Sequence, residues 1–223
     1  MYYIIMDLEW NNSYVKSTQK FINEIIEIGA VILNDSLEKV SEFKKYVKPE
    51  YNKISKKCSK LTGITDEILE SAPNFKDAIE EFMNWCKENC KGEEFKIYEW
   101  SENDLNQLVK EINLKQISSE DFEMFIVDWC DFQKEYCRLL GVEKRISLSM
   151  AISSIGEEFE GQVHDALWDA KNTASIFILS KNEEKFYSIM QPVLEALKPN
   201  QPMTYTLEDM LKKKLDKLST MGA

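Results

Sequence analysis

Histidine is almost absent from this chain: His164 is the one imidazole among 223 residues. Cysteine is scarce too, and its five residues form an odd set without C-x-x-C spacing. Cys86 and Cys90 stand four apart, but no histidine or further cysteine pair lies near them in sequence, so no zinc site is indicated and reduced, mostly buried thiols are expected. No run of about 18 apolar residues is present, and the chain starts directly with strand-forming residues rather than a charged segment and cleavage site. A membrane span and a secretory leader are therefore not indicated, and a cytoplasmic protein is expected. No stretch rich in Gly, Pro or Ser marks a linker, which points to a domain over residues 1–182 and a C-terminal helical extension, residues 183–223, packed on or beside it. Positive charge is in deficit, with 28 Lys and Arg against 39 Asp and Glu and a net charge of -11. A protein that grips nucleic acid by bulk electrostatics is disfavoured; one that meets phosphate through bound metal is not. Neither an internal repeat nor a low-complexity tract is present.

What is present begins at once. Met1-Tyr-Tyr-Ile-Ile-Met-Asp-Leu-Glu-Trp10 reads as a strand apolar on both faces, which places it centrally in a sheet. Asp7 and Glu9 share one face at its end. Same-face neighbours are about 6.5–7 Å apart along a strand, so the two carboxylates can converge on one point beyond its carboxyl end. Two like charges roughly 5 Å apart repel by about 3 kcal/mol at an effective dielectric near 20, so the pair calls for a counter-charge. A divalent cation is the natural one, and solvated turn residues are the alternative.

Asn11 to Lys20 reads as a polar loop. Asn23 to Leu33 and Leu37 to Val47 then read as an antiparallel hairpin about an Asn34-Asp35-Ser36 turn. Between Lys39 and Lys60 eight lysines stand against Glu42 and Glu50, either a phosphate-facing patch or a solvated face. Leu61 to Ile64 is a short apolar turn, and Asn74 to Cys90 has helical apolar spacing. Phe95 to Tyr98 is a short strand, followed by Ser101 as a candidate N-cap for a helix through Asp104 and Leu108. Phe125 to Trp129 is another short strand, Phe132 to Leu140 a helix closed by Gly141, Ser147 to Ile155 a short helix, and Val163 to Leu179 a strong one. Helices continue from Glu183 despite Pro192, ending in an amphipathic segment from Leu207 to Leu218. Strands interleaved with helices after an antiparallel start give an α/β fold: a mixed sheet, antiparallel hairpin plus parallel strands, flanked by helices.

Asp7, Glu9, Asp104, His164 and Asp169 thus stand at the ends of core elements. The set resembles the DEDDh exonucleases of the RNase H-like superfamily, in Asp7-Leu8-Glu9, in Asn103-Asp104 and in the late His164-x-x-x-x-Asp169. Glu24-Ile-Ile-Glu-Ile-Gly-Ala-Val31 and Leu61-Thr62-Gly63-Ile64 fit the same pattern. Trp10 departs from it, standing where many relatives carry a small residue. The resemblance implies an RNase H-like fold and a metal-dependent 3′-to-5′ exonuclease that releases nucleoside 5′-monophosphates from single-stranded RNA or DNA with a free 3′ end. It implies two Mg²⁺ or Mn²⁺ ions held by Asp7, Glu9, Asp104 and Asp169, with His164 as general base. It further implies that Leu8, Trp10, Leu61, Thr62, Gly63 and Ile64 cradle the terminal nucleotide. A five-residue step turns an ideal helix by about 140°, so His164 and Asp169 can meet only if His164 lies in the approach to the helix. A non-catalytic binding or interaction module on this fold, and an oligoribonuclease restricted to very short RNAs, stand as alternatives.

Overall fold

The N-terminal apolar run forms β1, Tyr2–Val15, at the centre of a five-stranded sheet. The computed structural model describes residues 1–16, 19–117, 125–126 and 129–197. The sheet continues with β2 (Lys20–Leu33), β3 (Lys39–Tyr46), β4 (Phe95–Glu99) and β5 (Trp129–Asp131), in the order β3-β2-β1-β4-β5. β1 runs antiparallel to β2 and parallel to β4, β2 antiparallel to β3, and β4 parallel to β5. The fold is thus the expected mixed α/β sheet flanked by helices.

Both faces of β1 are covered, as its composition requires. Tyr2, Ile4, Met6 and Leu8 join a core with Ile79, Phe82 and Met83 of α3 (Phe75–Asn89) and Leu108 of α4 (Asn103–Leu114). On the opposite face the Tyr3 ring lies 5.3 Å from that of Phe177, in a long apolar helix, Ala166–Ser180. That helix is α7, preceded in chain order by α1 (Lys56–Thr62), α2 (Asp66–Leu69), α5 (Phe132–Leu139) and α6 (Leu148–Ser154). Its first residue presses on β2. A Cβ added to Gly29 would lie 2.1 Å from the Ala166 carbonyl carbon, so only glycine lets strand and helix approach this closely. Gly29→Ala is expected to cost about 3 kcal/mol, the upper end of overpacking, and to lower the melting temperature by about 6–12 °C. A thermal scan with no detectable shift would show that this contact is dispensable.

Several expectations are corrected. Asn11 to Lys20 is not a loop from its start: β1 continues to Val15, paired with Lys20 of β2, after a register shift at Glu9/Trp10. Polar residues pair there because an antiparallel ladder can be solvated on a face. Leu61 and Thr62 end α1, whose N-cap is Ser55 and whose C-cap Gly63 has φ 75°, so the apolar turn is a helix end. Ser101 does not cap α4; instead the Glu99 carboxylate, at the end of β4, accepts the Leu105 N–H at 2.7 Å. The strand expected at Phe125 to Trp129 is displaced to Trp129–Asp131, and α7 begins at Ala166 rather than Val163. Cys58, Cys86, Cys90 and Cys137 are buried thiols and Cys130 is half-buried.

The chain divides into compact units Met1–Ile189 and Met190–Ala223. The helix α8, Glu183–Leu197, carries Pro192 within it. The segment Leu207 to Leu218 lies outside the described residues.

Candidate active site

The parallel β1–β4 ladder ends at Met6 and Glu99, and the site lies just beyond, at the carboxyl end of both strands. Asp7 and Glu9 extend from β1 there. Asp104, in the first turn of α4, is buried and its Oδ1 accepts the Leu8 N–H at 3.0 Å. The site therefore forms where β1 loses its parallel partner β4 while it remains paired with β2. From the other side, the start of α7 supplies Asp169 and the residue pair before it. Asp165 is the N-cap, accepting the Trp168 N–H at 3.2 Å, and His164 adopts φ 66° in the turn leading in. That turn resolves the spacing problem, because His164 is outside the helix and swings toward Asp169.

A cleft of about 320 Å³ is lined by all five residues, Asp7, Glu9, Asp104, His164 and Asp169. Glu9, His164 and Asp169 each offer a ligand atom within 4.8 Å of the others, and His164 Nδ1 lies 3.6 Å from Glu9 Oε1. The imidazole side chain is 44% exposed whereas the acids are largely enclosed. A partly solvated imidazole can meet both water and substrate.

Burial and mutual repulsion dominate the electrostatics. Burial, then the charges of Asp104, Asp169, Glu9 and Glu27, pushes the Asp7 carboxyl well above the usual carboxylate range. Burial, then Asp169, Glu27, Asp104 and Asp165, lifts Glu9 to about 8. Burial raises Asp104 and Asp169 to about 7 each, although Asp104 accepts the Leu8 N–H and Asp169 the His164 N–H, which work the other way. Groups that destabilise one another so consistently are matched to a counter-charge supplied from outside the chain. Asp169 Oδ1 is buried with no hydrogen-bond partner among the described residues. An orphaned carboxylate oxygen facing three further acids is a hard-cation donor set, and the residues fit a divalent ion.

Of the residues expected to cradle a nucleotide, Leu8, Trp10 and Leu61 line the cleft. Thr62, Gly63 and Ile64 are engaged elsewhere: Thr62 Oγ1 accepts the Ile64 N–H at 3.1 Å, Gly63 caps α1, and Ile64 is buried in a cluster with Ile26, Cys58 and Leu69. Trp100, Ser101, Asn103 and Leu148 also line the cleft and were not anticipated. Ser101 and Asn103 could have been found from their closeness to Asp104. Leu148 reaches the cleft from α6, and no pattern in the sequence marks it.

The exonuclease family (RNase_T) matches residues 4–177. The rat 3′-5′ exoribonuclease 1 is 30% identical over 163 residues, 71% of this chain and 47% of that protein. Human ERI1 exoribonuclease 2 is 31% identical over 196 residues, 78% of this chain and 27% of that protein. The chain spans less than half the length of either relative. Among solved structures, the nuclease domain of 3′hExo, a DEDDh family member bound to rAMP, superposes with a TM-score of 0.71 at 25% identity, covering 82% of this chain and 92% of that one. With four acids and a histidine gathered at the sheet's carboxyl edge and the family matched across most of its length, the chain belongs to the exonuclease family, in its DEDDh branch.

Proposed function

We propose that this protein is a 3′-to-5′ exoribonuclease, releasing nucleoside 5′-monophosphates one at a time from single-stranded RNA with a free 3′ end. The observation that carries the reading is the convergence of Asp7, Glu9, Asp104, Asp169 and His164 on one cleft. RNA is chosen over DNA because the two named relatives are exoribonucleases. DEDDh enzymes depend on divalent metal, and two Mg²⁺ or Mn²⁺ ions bound here would neutralise charge growing on the phosphate and leaving oxygen and make an attacking water more acidic. Asp7, Glu9, Asp104 and Asp169 would hold these ions, with Asp7 shared between them. His164 accepts the proton of that water as its oxygen attacks phosphorus and the bond to the 3′ oxygen breaks. Leu8, Trp10 and Leu61 pack against the terminal base and sugar, with Thr62, Gly63 and Ile64 fixing the turn that presents Leu61. Contacts to base faces and sugar tolerate successive different bases, as the stepwise shortening of a mixed sequence requires.

The lysine-rich stretch supports the same reading. Lys39, Lys44 and Lys45 are taken up by Glu42, by Glu27 with Asp165, and by Glu81. Lys53, Lys56, Lys57 and Lys60 are exposed on or beside α1, whose last turn carries Leu61 to the cleft, and they guide the strand's phosphates toward it. Residues 1–182 are taken as the catalytic domain and residues 183–223 as an extension to it. No helix among the described residues is long and apolar enough to cross a membrane, and the cytoplasm is the proposed place of action.

A 3′-labelled oligoribonucleotide incubated with Mg²⁺ or Mn²⁺ should yield labelled mononucleotide as the first product, and none after chelation. A length series separates general exonuclease action from action on very short RNAs alone, and a matched DNA tests the choice of sugar. Binding without cleavage, or labelled fragments longer than one nucleotide, would overturn the reading.

A further inference from the structure

The turn that carries His164 is anchored from a strand two positions away in the sheet. Glu27, buried in β2, accepts the Ala166 N–H at 3.1 Å with Oε2, while its Oε1 lies 2.8 Å from Lys44 Nζ of β3. The same ammonium pairs with the Asp165 carboxylate, which in turn caps α7 through the Trp168 N–H. Lys44 therefore ties two acids together, one on the sheet and one on the residue directly after His164. It also opposes a repulsion that would otherwise open the turn: Glu27 and Asp165 both act unfavourably on Glu9 and Asp169. On its other side the turn is held by Gln162, whose Nε2 donates to the Thr62 carbonyl at 2.9 Å. His164, at φ 66°, hangs between the two anchors. A non-glycine residue in the left-handed region costs energy and persists only where its surroundings enforce it.

We infer that Lys44, with Glu27 and Asp165, is a positioning device that enforces the backbone conformation of His164 and so places its imidazole over the cleft. Lys44 touches neither substrate nor the reacting atoms; it acts through the histidine. The inference rests on the reading of His164 as general base. Loss of the ammonium leaves Glu27 and Asp165 facing each other uncompensated, and the turn relaxes away from Glu9. A displacement of about 1 Å in a catalytic group can cost on the order of 100-fold in rate. Substrate contacts at Leu61 and Trp10 lie on other elements and are untouched by it.

The test is a double-mutant cycle in kcat with His164→Ala. In the wild-type background Lys44→Met is expected to lower kcat by about 10- to 100-fold with KM within about twofold, and Lys44→Arg to restore most of the loss. In the His164→Ala background the same Lys44→Met change should alter kcat by less than about threefold, because the group through which Lys44 acts is gone. Equal losses in both backgrounds would overturn the inference, since a general structural role moves both. A His164→Ala protein with full turnover would remove the base reading, a failure visible in that single variant and distinct from additivity in the cycle. Should Lys44→Met not fold, Glu27→Gln, which keeps an acceptor for the Ala166 N–H but loses the charge, enters the same cycle. A second readout needs no activity: the lone histidine's ring resonances, in metal-free protein, should shift in Lys44→Met and return in Lys44→Arg. Unchanged resonances in a folded Lys44→Met protein would also overturn the inference.

Discussion

Asp7→Asn is expected to lower turnover by at least about 10³-fold while raising the melting temperature of the metal-free protein. The activity loss follows from position, because Asp104, Asp169 and Glu9 all act on Asp7, and it lines the cleft with them. Loss of one preorganised electrostatic group in an enclosed site costs about 10²- to 10³-fold, and a carboxylate with the proposed role of serving two ions stands at the top of that range or beyond. The stability gain follows from the same crowding. Removing one carboxylate from four relieves repulsion on the order of 1–2 kcal/mol, about 2–8 °C for a chain of this size.

The pH dependence has a definite sign. Glu9 is raised to about 8 and Asp104 and Asp169 to about 7, so between roughly pH 4 and pH 8 the folded protein binds more protons than the unfolded chain. Metal-free stability is then fully present below about pH 4 as far as these acids go, and falls as pH rises through about 8. Divalent cation should reverse the slope, binding weakly below about pH 7, where protons compete, and stabilising most above about pH 8. Thermal scans across that range, with and without metal, in wild type and Asp7→Asn, measure all of this. An Asp7→Asn protein with full turnover, or a metal-free stability that rises with pH over this interval, would sink the shared-cation reading.

His164→Ala should reduce kcat by roughly 10²- to 10⁴-fold, the usual range for a positioned general base, and leave the melting temperature within a few degrees of wild type. The two effects separate because the side chain is 44% exposed and approaches the acids from the rim, 3.6 Å from Glu9 Oε1. It fills no core volume whose loss would leave a cavity. Metal affinity, read calorimetrically, should also change little, since Asp7, Glu9, Asp104 and Asp169 remain. Turnover equal to wild type would make His164 a turn residue and leave the four acids to act alone. A loss of metal binding in proportion to the loss of rate would instead make it a ligand.

How much of this was legible in the chain depends on how local the cause is. β1 was legible because a strand buried on both faces is apolar at every position, and Asp7 and Glu9 interrupt that run on one side. The helix from Phe75 to Asn89 was legible from its apolar spacing, and the five residues of the site from their order and separation. Ser101 was misread because its usual capping role is taken by Glu99, a carboxylate brought to the Leu105 N–H by the end of β4. The extension of β1 to Val15 was missed because Asn11, Asn12 and Ser13 carry no strand signal, and their pairing is imposed by β2.

By itself, then, the sequence determined the mixed sheet, the acids at its carboxyl edge and the need of His164 for a place ahead of its helix. These are consequences of side-chain type and period along one stretch of chain. The tertiary structure alone decided what surrounds the acids, that Leu148 joins Trp10 and Leu61 at the cleft while Ile64 is buried, and that Lys44 reaches across to Glu27 and Asp165. Those partners are separated in sequence by as much as 121 residues. No local pattern encodes such a pairing, because it is fixed by how closely α7 can approach β2, and that distance is set by the missing side chain of Gly29.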